Sequence, residues 1–535
     1  MKGEIKLRKY HSPIWSEPMI MEMGQQGERG ILIPEVEEGI RAAVEDAESY
    51  IPSNMRRTKI PKLPESSQPQ ILRHFLRLSQ ENLGMEVNIE IGTGTATMKY
   101  SPKINEVLAR VPEMTEIHPY QDERTIQGIL EIMYKLSLFL SEISGLDQFI
   151  FQPSGGSLAT FTNACLFRAY HAERGELEQR DEIITTLFSH PCISATANTA
   201  GFKVITLMPN KEGYTDIEAL KSVCSERTAG LMVTNPEDTG IYNPQIKEVV
   251  EVIHGVGGLC FYDQANANGV LGITRAKEAG FDACHFNLHK TFSSPHGSYG
   301  PGCAAYGVKE ELAKFLPVPV VIFDGENYHL DYDRLHSVGK VREFFGNIPA
   351  VLRAYAWIMC MGAEGLLEVS RVSVLNNNYL AKQLLVIPGV VRYYDDKNFR
   401  LELTRYSWEK LKEDTGCGTD DVRRRMVDYG LQSHFMSHQP WIVPEPFTPE
   451  PCESYSKEDC DYFAAVLRQI SKEAYTNPDI LKKAPHNATT HKPNTAPLND
   501  PKRWAMTWRA YLKKKKNRQK RENLNTAYPE IKKES

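Results

Sequence analysis

Four short segments, far apart in the chain, carry residue types that can do covalent and electrostatic chemistry together. The first runs His285-Phe-Asn-Leu-His-Lys290-Thr-Phe-Ser-Ser-Pro-His296-Gly-Ser-Tyr-Gly-Pro-Gly302. A short apolar segment ends there in Lys290, and the Pro- and Gly-rich stretch behind it lets backbone approach a ligand closely. An amine at the end of a buried strand can be desolvated, lose its proton and condense with a carbonyl. The second segment, Leu259-Cys-Phe-Tyr-Asp263, ends in a carboxylate that can keep a ring nitrogen protonated. The third, Ser154-Gly155-Gly156-Ser157, opens a predicted helix, whose free N–H groups and dipole suit a phosphate. The fourth is His190, just beyond a predicted strand, where an imidazole can lie over a flat ring.

An amine for an imine, an acid for a pyridine nitrogen and donors for a phosphate are what a pyridoxal-phosphate site asks of a protein. Each segment also has a plainer reading. Lys290 can simply reach solvent, Asp263 can cap a helix starting near Ala265, the Gly-rich turn can be an ordinary connection, and His190 can be a capping or surface residue. His285 and His289 lie four apart, but on a strand and with no third ligand signalled, so no metal site is expected.

The elements that must position these residues alternate between helix and strand. Helices are predicted at 125–143, 158–170, 194–200, 217–224 and 246–254, and strands at 149–152, 182–188, 203–207, 230–234, 259–263 and 283–288. Short links between them imply crossover connections and a mostly parallel sheet, with ligands beyond the carboxyl ends of the strands. His190, Asp263, Lys290 and the 154–157 turn all fall at those ends. The fold class is therefore α/β. The expected organisation is an N-terminal arm and loop region at 1–120, a large α/β domain at 121–375, a smaller α+β domain at 376–480, and an extended segment with a basic tail at 481–535. The arm proper, residues 1 to about 68, must lie against another surface to be ordered, and the loop region follows. Within it, Ile91-Gly-Thr-Gly-Thr95-Ala-Thr-Met-Lys-Tyr100 is a weak nucleotide signal but can face a ligand. Long helices are expected at 350–364 and 372–385, another at 457–474, and strand-like pieces at 391–394, 399–403 and 429–435.

The chain of 535 residues has a net charge of −5, which argues against a nucleic-acid-binding body. Its ten cysteines form no CxxC pair, so neither a zinc knuckle nor a thioredoxin-type site is signalled. Residues 1–10 lack the apolar core of a signal peptide and no run spans a bilayer, which makes the cytoplasm the expected compartment. Residues 513–521 carry seven basic side chains in nine and read as a disordered, solvated tail.

The chain resembles the C-terminal half of the glycine-cleavage P-protein, the glycine dehydrogenase (decarboxylating) subunit 2 family. The resemblance rests on Asn287-Leu-His-Lys-Thr-Phe292, Tyr262-Asp263, Pro295-His-Gly297, Met98-Lys-Tyr-Ser-Pro-Lys103, His118-Pro-Tyr-Gln121, Leu316-Pro-Val-Pro319 and Lys483-Ala-Pro-His486, and spans about residues 55–490. It implies an aspartate-aminotransferase-like, fold-type-I enzyme with pyridoxal phosphate on Lys290. Asp263 would face the ring nitrogen and His190 would stack on the ring, with Ser154, Gly155, Gly156, Ser157 and His289 also around the cofactor. The substrate would be glycine, or another small amino acid. The aminomethyl group would pass to a lipoylated carrier protein, and a P-protein subunit 1 would be the partner in a homo- or hetero-oligomer. Where the family reads Gly-Ser-Cys this chain has Gly94-Thr95-Ala96. The family's Ala-Gly-Ala-x-Gly-Glu is Gly155-Gly-Ser-Leu-Ala-Thr160, only His190 survives of Ala-His-Gly-Thr-Asn-Pro, and Gln264 replaces a Gly. Gln264, Asn266, His296 and Thr95 are the candidates for the substrate pocket. These departures leave two alternatives open: transamination, aldol or condensation chemistry on another amino acid, and a non-catalytic scaffold subunit.

Overall fold

The structure, a computed structural model, describes residues 5–28, 30, 34–44, 47–59, 63–84, 89, 91–93, 99–295, 301–394, 400–431 and 437–527. Two compact units are present, Met1–Thr489 and Thr490–Ser535. The first is built on a seven-stranded sheet of β1 (Gln148–Ile150), β2 (Glu182–Thr186), β3 (Lys203–Leu207), β4 (Thr228–Thr234), β5 (Leu259–Gln264), β6 (Ala283–Asn287) and β7 (Ala304–Val308), in the spatial order β1-β7-β6-β5-β4-β2-β3. Strands β6, β5, β4, β2 and β3 run parallel, and β7 is antiparallel to both of its neighbours. Sequence patterning anticipates every strand except β7, whose Ala304-Ala-Tyr-Gly-Val308 is too small and too Gly-interrupted to read as one.

A mostly parallel sheet is covered on both faces, so its strands are apolar throughout rather than alternating. Every residue of β5 is buried. On one face α1 (Gln127–Ser144) lays down the stripe Leu130, Met133, Leu136 and Leu140, and on the other α2 (Gly156–Glu173) contributes Ala164, Leu166 and Phe167. Gly230 of β4 makes room for that second layer: a Cβ there would lie 2.4 Å from the Leu259 carbonyl oxygen and 2.6 Å from the Phe167 ring. Gly230→Ala is expected to destabilise the protein by about 1–3 kcal/mol, read as a lower urea midpoint at unchanged slope.

α3 (Ile348–Leu384) is one assignment of 37 residues where the sequence suggests two helices, with a break at Gly362 (φ 64°). On both sides of that break it packs Val351, Trp357, Leu366 and Val369 into the core beside the sheet. Its last turns put Leu380, Ala381 and Leu384 into a second core with Trp408, Phe447 and the helix α4 (Lys457–Thr476). That second core carries a three-stranded sheet of Val391–Arg392, Tyr406–Ser407 and Pro446–Phe447. Residues 400–403 and 429–431 are not strands, contrary to expectation, and the rest of those two predicted pieces lies outside the described residues. The arm is anchored as expected: Glu17 meets His74 and Arg77 of the helix Gln68–Gln80, and Ser12 bonds to Asn487. The basic tail, by contrast, is α5 (Trp508–Ala527), since its Leu, Lys, Arg, Gln and Glu are good helix formers. Among the described residues no helix is long and apolar enough to cross a membrane.

Candidate active site

The parallel strands deliver the chemical residues to one edge of the sheet. His190 follows β2, Asp238 follows β4, Asp263 lies in β5, Lys290 stands three residues past β6, and α2 begins where the chain leaves β1. The Lys290 N–H is bonded to the Asn287 carbonyl at 3.0 Å, so the lysine sits in a tight turn off the strand. Burial pushes its amine below the ordinary lysine range, opposed by the charges of Asp263, Glu450 and Asp238. A lysine so placed gains the neutral form that a nucleophile needs.

Asp263 is buried, and its Oδ1 accepts the Ala265 N–H at 3.0 Å. No helix starts near Ala265, so the expected capping role is not found; the bond is a local turn that coexists with proximity to the other ionisable groups. The same oxygen lies 3.5 Å from His285 Nε2. His285 is fully buried, stacked on Phe261 at 5.5 Å and 3°, and neither of its ring nitrogens makes a hydrogen bond. Burial holds it in the neutral form.

The turn before α2 is built for close approach. A Cβ on Gly156 would lie 3.2 Å from both Asn287 Nδ2 and His285 Nε2. One on Gly302 would lie 2.8 Å from His289 Nδ1 and from the Ser154 carbonyl oxygen. No side chain caps α2, which leaves its first-turn N–H groups facing outward. His289 borders the turn, its Nδ1 placed 3.1 Å from the Cys303 carbonyl oxygen. Thr234 Oγ1, Gln264 Oε1 and Asn287 Oδ1 are buried at the strand ends without a hydrogen-bond partner, as expected of polar atoms that a ligand completes. An uncapped helix start, a glycine cradle and unpartnered polar atoms beside a desolvated lysine fit a flat phosphorylated aldehyde.

His190 receives the Cys192 N–H on Nδ1 at 3.1 Å, and burial and the charge of Lys290 push its pKa down. Burial drives the Cys192 thiol up to about 12. Of the substrate-pocket candidates, Gln264 lines the strand end, whereas Asn266 gives its amide to Glu450. Thr95 and His296 lie outside the described residues. At the next described positions Lys99 meets Glu453 at 2.8 Å and the Tyr100 N–H bonds Ser454 Oγ at 3.1 Å.

Sequence reasoning misses five buried or half-buried groups near this edge: Asp238, Arg405, His438, Glu402 and Glu450. Asp238 lies early in the loop after β4, four residues past the strand, within the same strand-end rule that found Asp263. The others arrive from the C-terminal part of the unit, and no local spacing announces them.

Comparison with known proteins gives consistent results. Residues 157–395 match the aminotransferase class-V family and residues 369–494 the C-terminal domain of glycine dehydrogenase. A probable glycine dehydrogenase (decarboxylating) subunit 2 from Pyrococcus horikoshii is 44% identical over 504 residues, 94% of this chain and 98% of the relative. Its counterpart in Caldanaerobacter subterraneus subsp. tengcongensis is 42% identical over 489 residues, 91% of this chain and 96% of the relative. The crystal structure of an inhibitor-bound glycine decarboxylase (P-protein) of the glycine cleavage system superposes with a TM-score of 0.69 at 20% identity, covering 82% of this chain and 100% of that one. A NIFS-like protein gives 0.55 at 15%, covering 72% and 99%.

Proposed function

Because this chain belongs to the glycine dehydrogenase (decarboxylating) subunit 2 family, we propose that it decarboxylates glycine and passes the aminomethyl group to a lipoylated carrier protein, working with a first P-protein subunit. The cofactor is pyridoxal phosphate, which when bound supplies the electron sink for the pair left by the departing carboxylate. The observation that carries the reading is the half-buried Lys290, its amine desolvated, at the same strand edge as the buried carboxylate of Asp263.

The chain's own residues then divide the work. Lys290 would hold the cofactor through its desolvated amine, and the same amine, when free, could serve as a base. Asp263 would keep the ring nitrogen protonated, and its burial would strengthen that interaction by excluding water. Gly155, Gly156 and Ser157 offer backbone N–H groups to the phosphate, with Ser154 and His289 shaping that end. His190 would cover the ring. Gln264, with its unpartnered carbonyl oxygen, would face the substrate side with Asn266 near it, and Thr95 and His296, outside the described residues, are the other candidates for substrate contact. The protein works in the cytoplasm as an oligomer, and the 121–375 and 376–480 segments form the large and small domains around the pocket.

The test is release of labelled CO2 from carboxyl-labelled glycine by the cofactor-loaded protein, with the first subunit and lipoylated carrier supplied. Release above blank is the expected result. Its absence, with spectral changes on addition of another amino acid, would favour the second reading of different chemistry on another substrate, which Gln264 and the altered Pro191–Ser194 segment motivate.

A further inference from the structure

Beside the site lies a charged cluster that the proposed chemistry does not use. Asp238, 3% exposed, accepts on its Oδ2 from Arg405 Nη2 at 2.9 Å and from His438 Nδ1 at 2.9 Å. Arg405 is as deeply buried, and is held by Gln439 Oε1 at 3.2 Å and by the Phe188 ring, whose centroid is 5.5 Å away. The His438 ring in turn meets the His190 ring edge-on, with centroids 4.8 Å apart at 87°. Asp238 and His190 come from loops of the central sheet, whereas Arg405 and His438 come from the C-terminal part of the unit.

The hydrogen bonds set the protonation of His190. The Cys192 N–H points at His190 Nδ1, so that nitrogen must keep its lone pair and the ring is neutral with its proton on Nε2. A neutral ring is what a stacking partner of a protonated pyridine has to be, since two cations face to face would repel. The charged and titratable groups around His190 are Lys290, Asp238, Asp263 and His438, with the buried His285 of β6 and the Cys192 thiol, raised by burial, beside them. The two carboxylates favour a proton on His190, and Asp238 is the one that no site chemistry calls for. An unneutralised carboxylate there would draw the imidazole toward its cationic form.

We infer that Arg405 and His438 are positioning residues that consume the charge of Asp238 through its Oδ2 and so keep His190 neutral. The cluster is a charge sink, assembled only when the C-terminal part of the unit is seated against the sheet. The direction of Asp238's own titration agrees: burial would raise it, yet the bonds from His438 and the charge of Arg405 hold its carboxyl down at about 2.

The test has two arms, and the first needs neither cofactor nor substrate. In cofactor-free protein with isotope-labelled histidine, the His190 resonance, assigned by its loss in H190N, is followed against pH. Arg405→Met is expected to raise the His190 midpoint by about one pH unit, a tenfold gain in proton affinity. His438→Asn, at a half-buried and therefore tolerant position, raises it by less. The double variants D238N/R405M and D238N/H438N return it to the parent value, and Arg405→Lys leaves it near the parent. An unchanged midpoint in folded R405M, or in H438N should R405M fail to fold, overturns the inference, as does a midpoint that stays raised in the double variants. The second arm rests on the pyridoxal-phosphate reading: in loaded protein the pH midpoint of the visible absorbance shifts in R405M and reverts in D238N/R405M. If the first arm succeeds and the loaded protein has no visible absorbance, the cofactor reading fails and the charge sink stands. If the absorbance is present and the His190 midpoint does not move, the reverse holds.

Discussion

Lys290→Ala lowers carboxyl-labelled CO2 release by at least about a thousandfold, as loss of a covalent catalyst does, and removes the visible absorbance of the cofactor-loaded protein. The direction follows from the geometry: the lysine is set in a turn off β6, its amine is desolvated, and Asp263 stands within electrostatic reach. No other described lysine is placed among Asp263, Asp238 and Glu450. A small primary amine added to the variant is expected to restore part of the rate, because the pocket keeps its shape when a long side chain is trimmed. Measured turnover and an absorbance spectrum matching those of the parent protein would refute the assignment outright. Retained absorbance with lost turnover would instead point to a lysine used only as a base.

The second large effect concerns stability against pH and comes from carboxylic acids outside the proposed chemistry. Glu402 is 2% exposed, and burial, reinforced by the charge of Glu450, raises its carboxyl to about 8. Glu237 is raised to about 8 as well, by burial first. The usual glutamate value is 4.5. Below it, folded and unfolded chains both hold the proton and nothing is lost. Between that value and about 8, the unfolded chain has released the proton while the folded chain keeps it, so stability falls as pH rises and the loss is complete above the folded value. Glu402→Gln removes one such group while keeping its shape. The variant is expected to melt several degrees higher than the parent near pH 9 and close to it near pH 5. Parallel melting curves for the two proteins across that range would rule the mechanism out.

How much of this was legible beforehand depended on the range of the interaction. The strands β2 to β6 and the helices between them announced themselves through short β-branched runs and helical spacing, and the strand-end rule then placed His190, Asp263 and Lys290 at one edge. β7 was invisible because its small residues carry no propensity signal, and it enters the sheet antiparallel, outside the crossover pattern. The tail was misread because a run of like charges suggests self-repulsion, while the intrinsic helix preference of its lysines and arginines acts residue by residue. Asp238, Arg405 and His438 were out of reach for a different reason. Their meaning lies in contacts between positions such as 238 and 438, and a buried charge has no signature in its own neighbourhood.

The long helix from Ile348 to Leu384 serves as an axle on which two separate hydrophobic masses are mounted. A cut at residue 375 would sever it, stripping Leu380 and Leu384 from the piece left behind and baring the apolar surface they cover. Neither piece could then be expected to survive as a free-standing body. Rocking of one mass against the other, if substrate entry calls for it, must be accommodated along this single shaft, and Gly362 is the one place within it where the backbone already departs from helical φ and ψ.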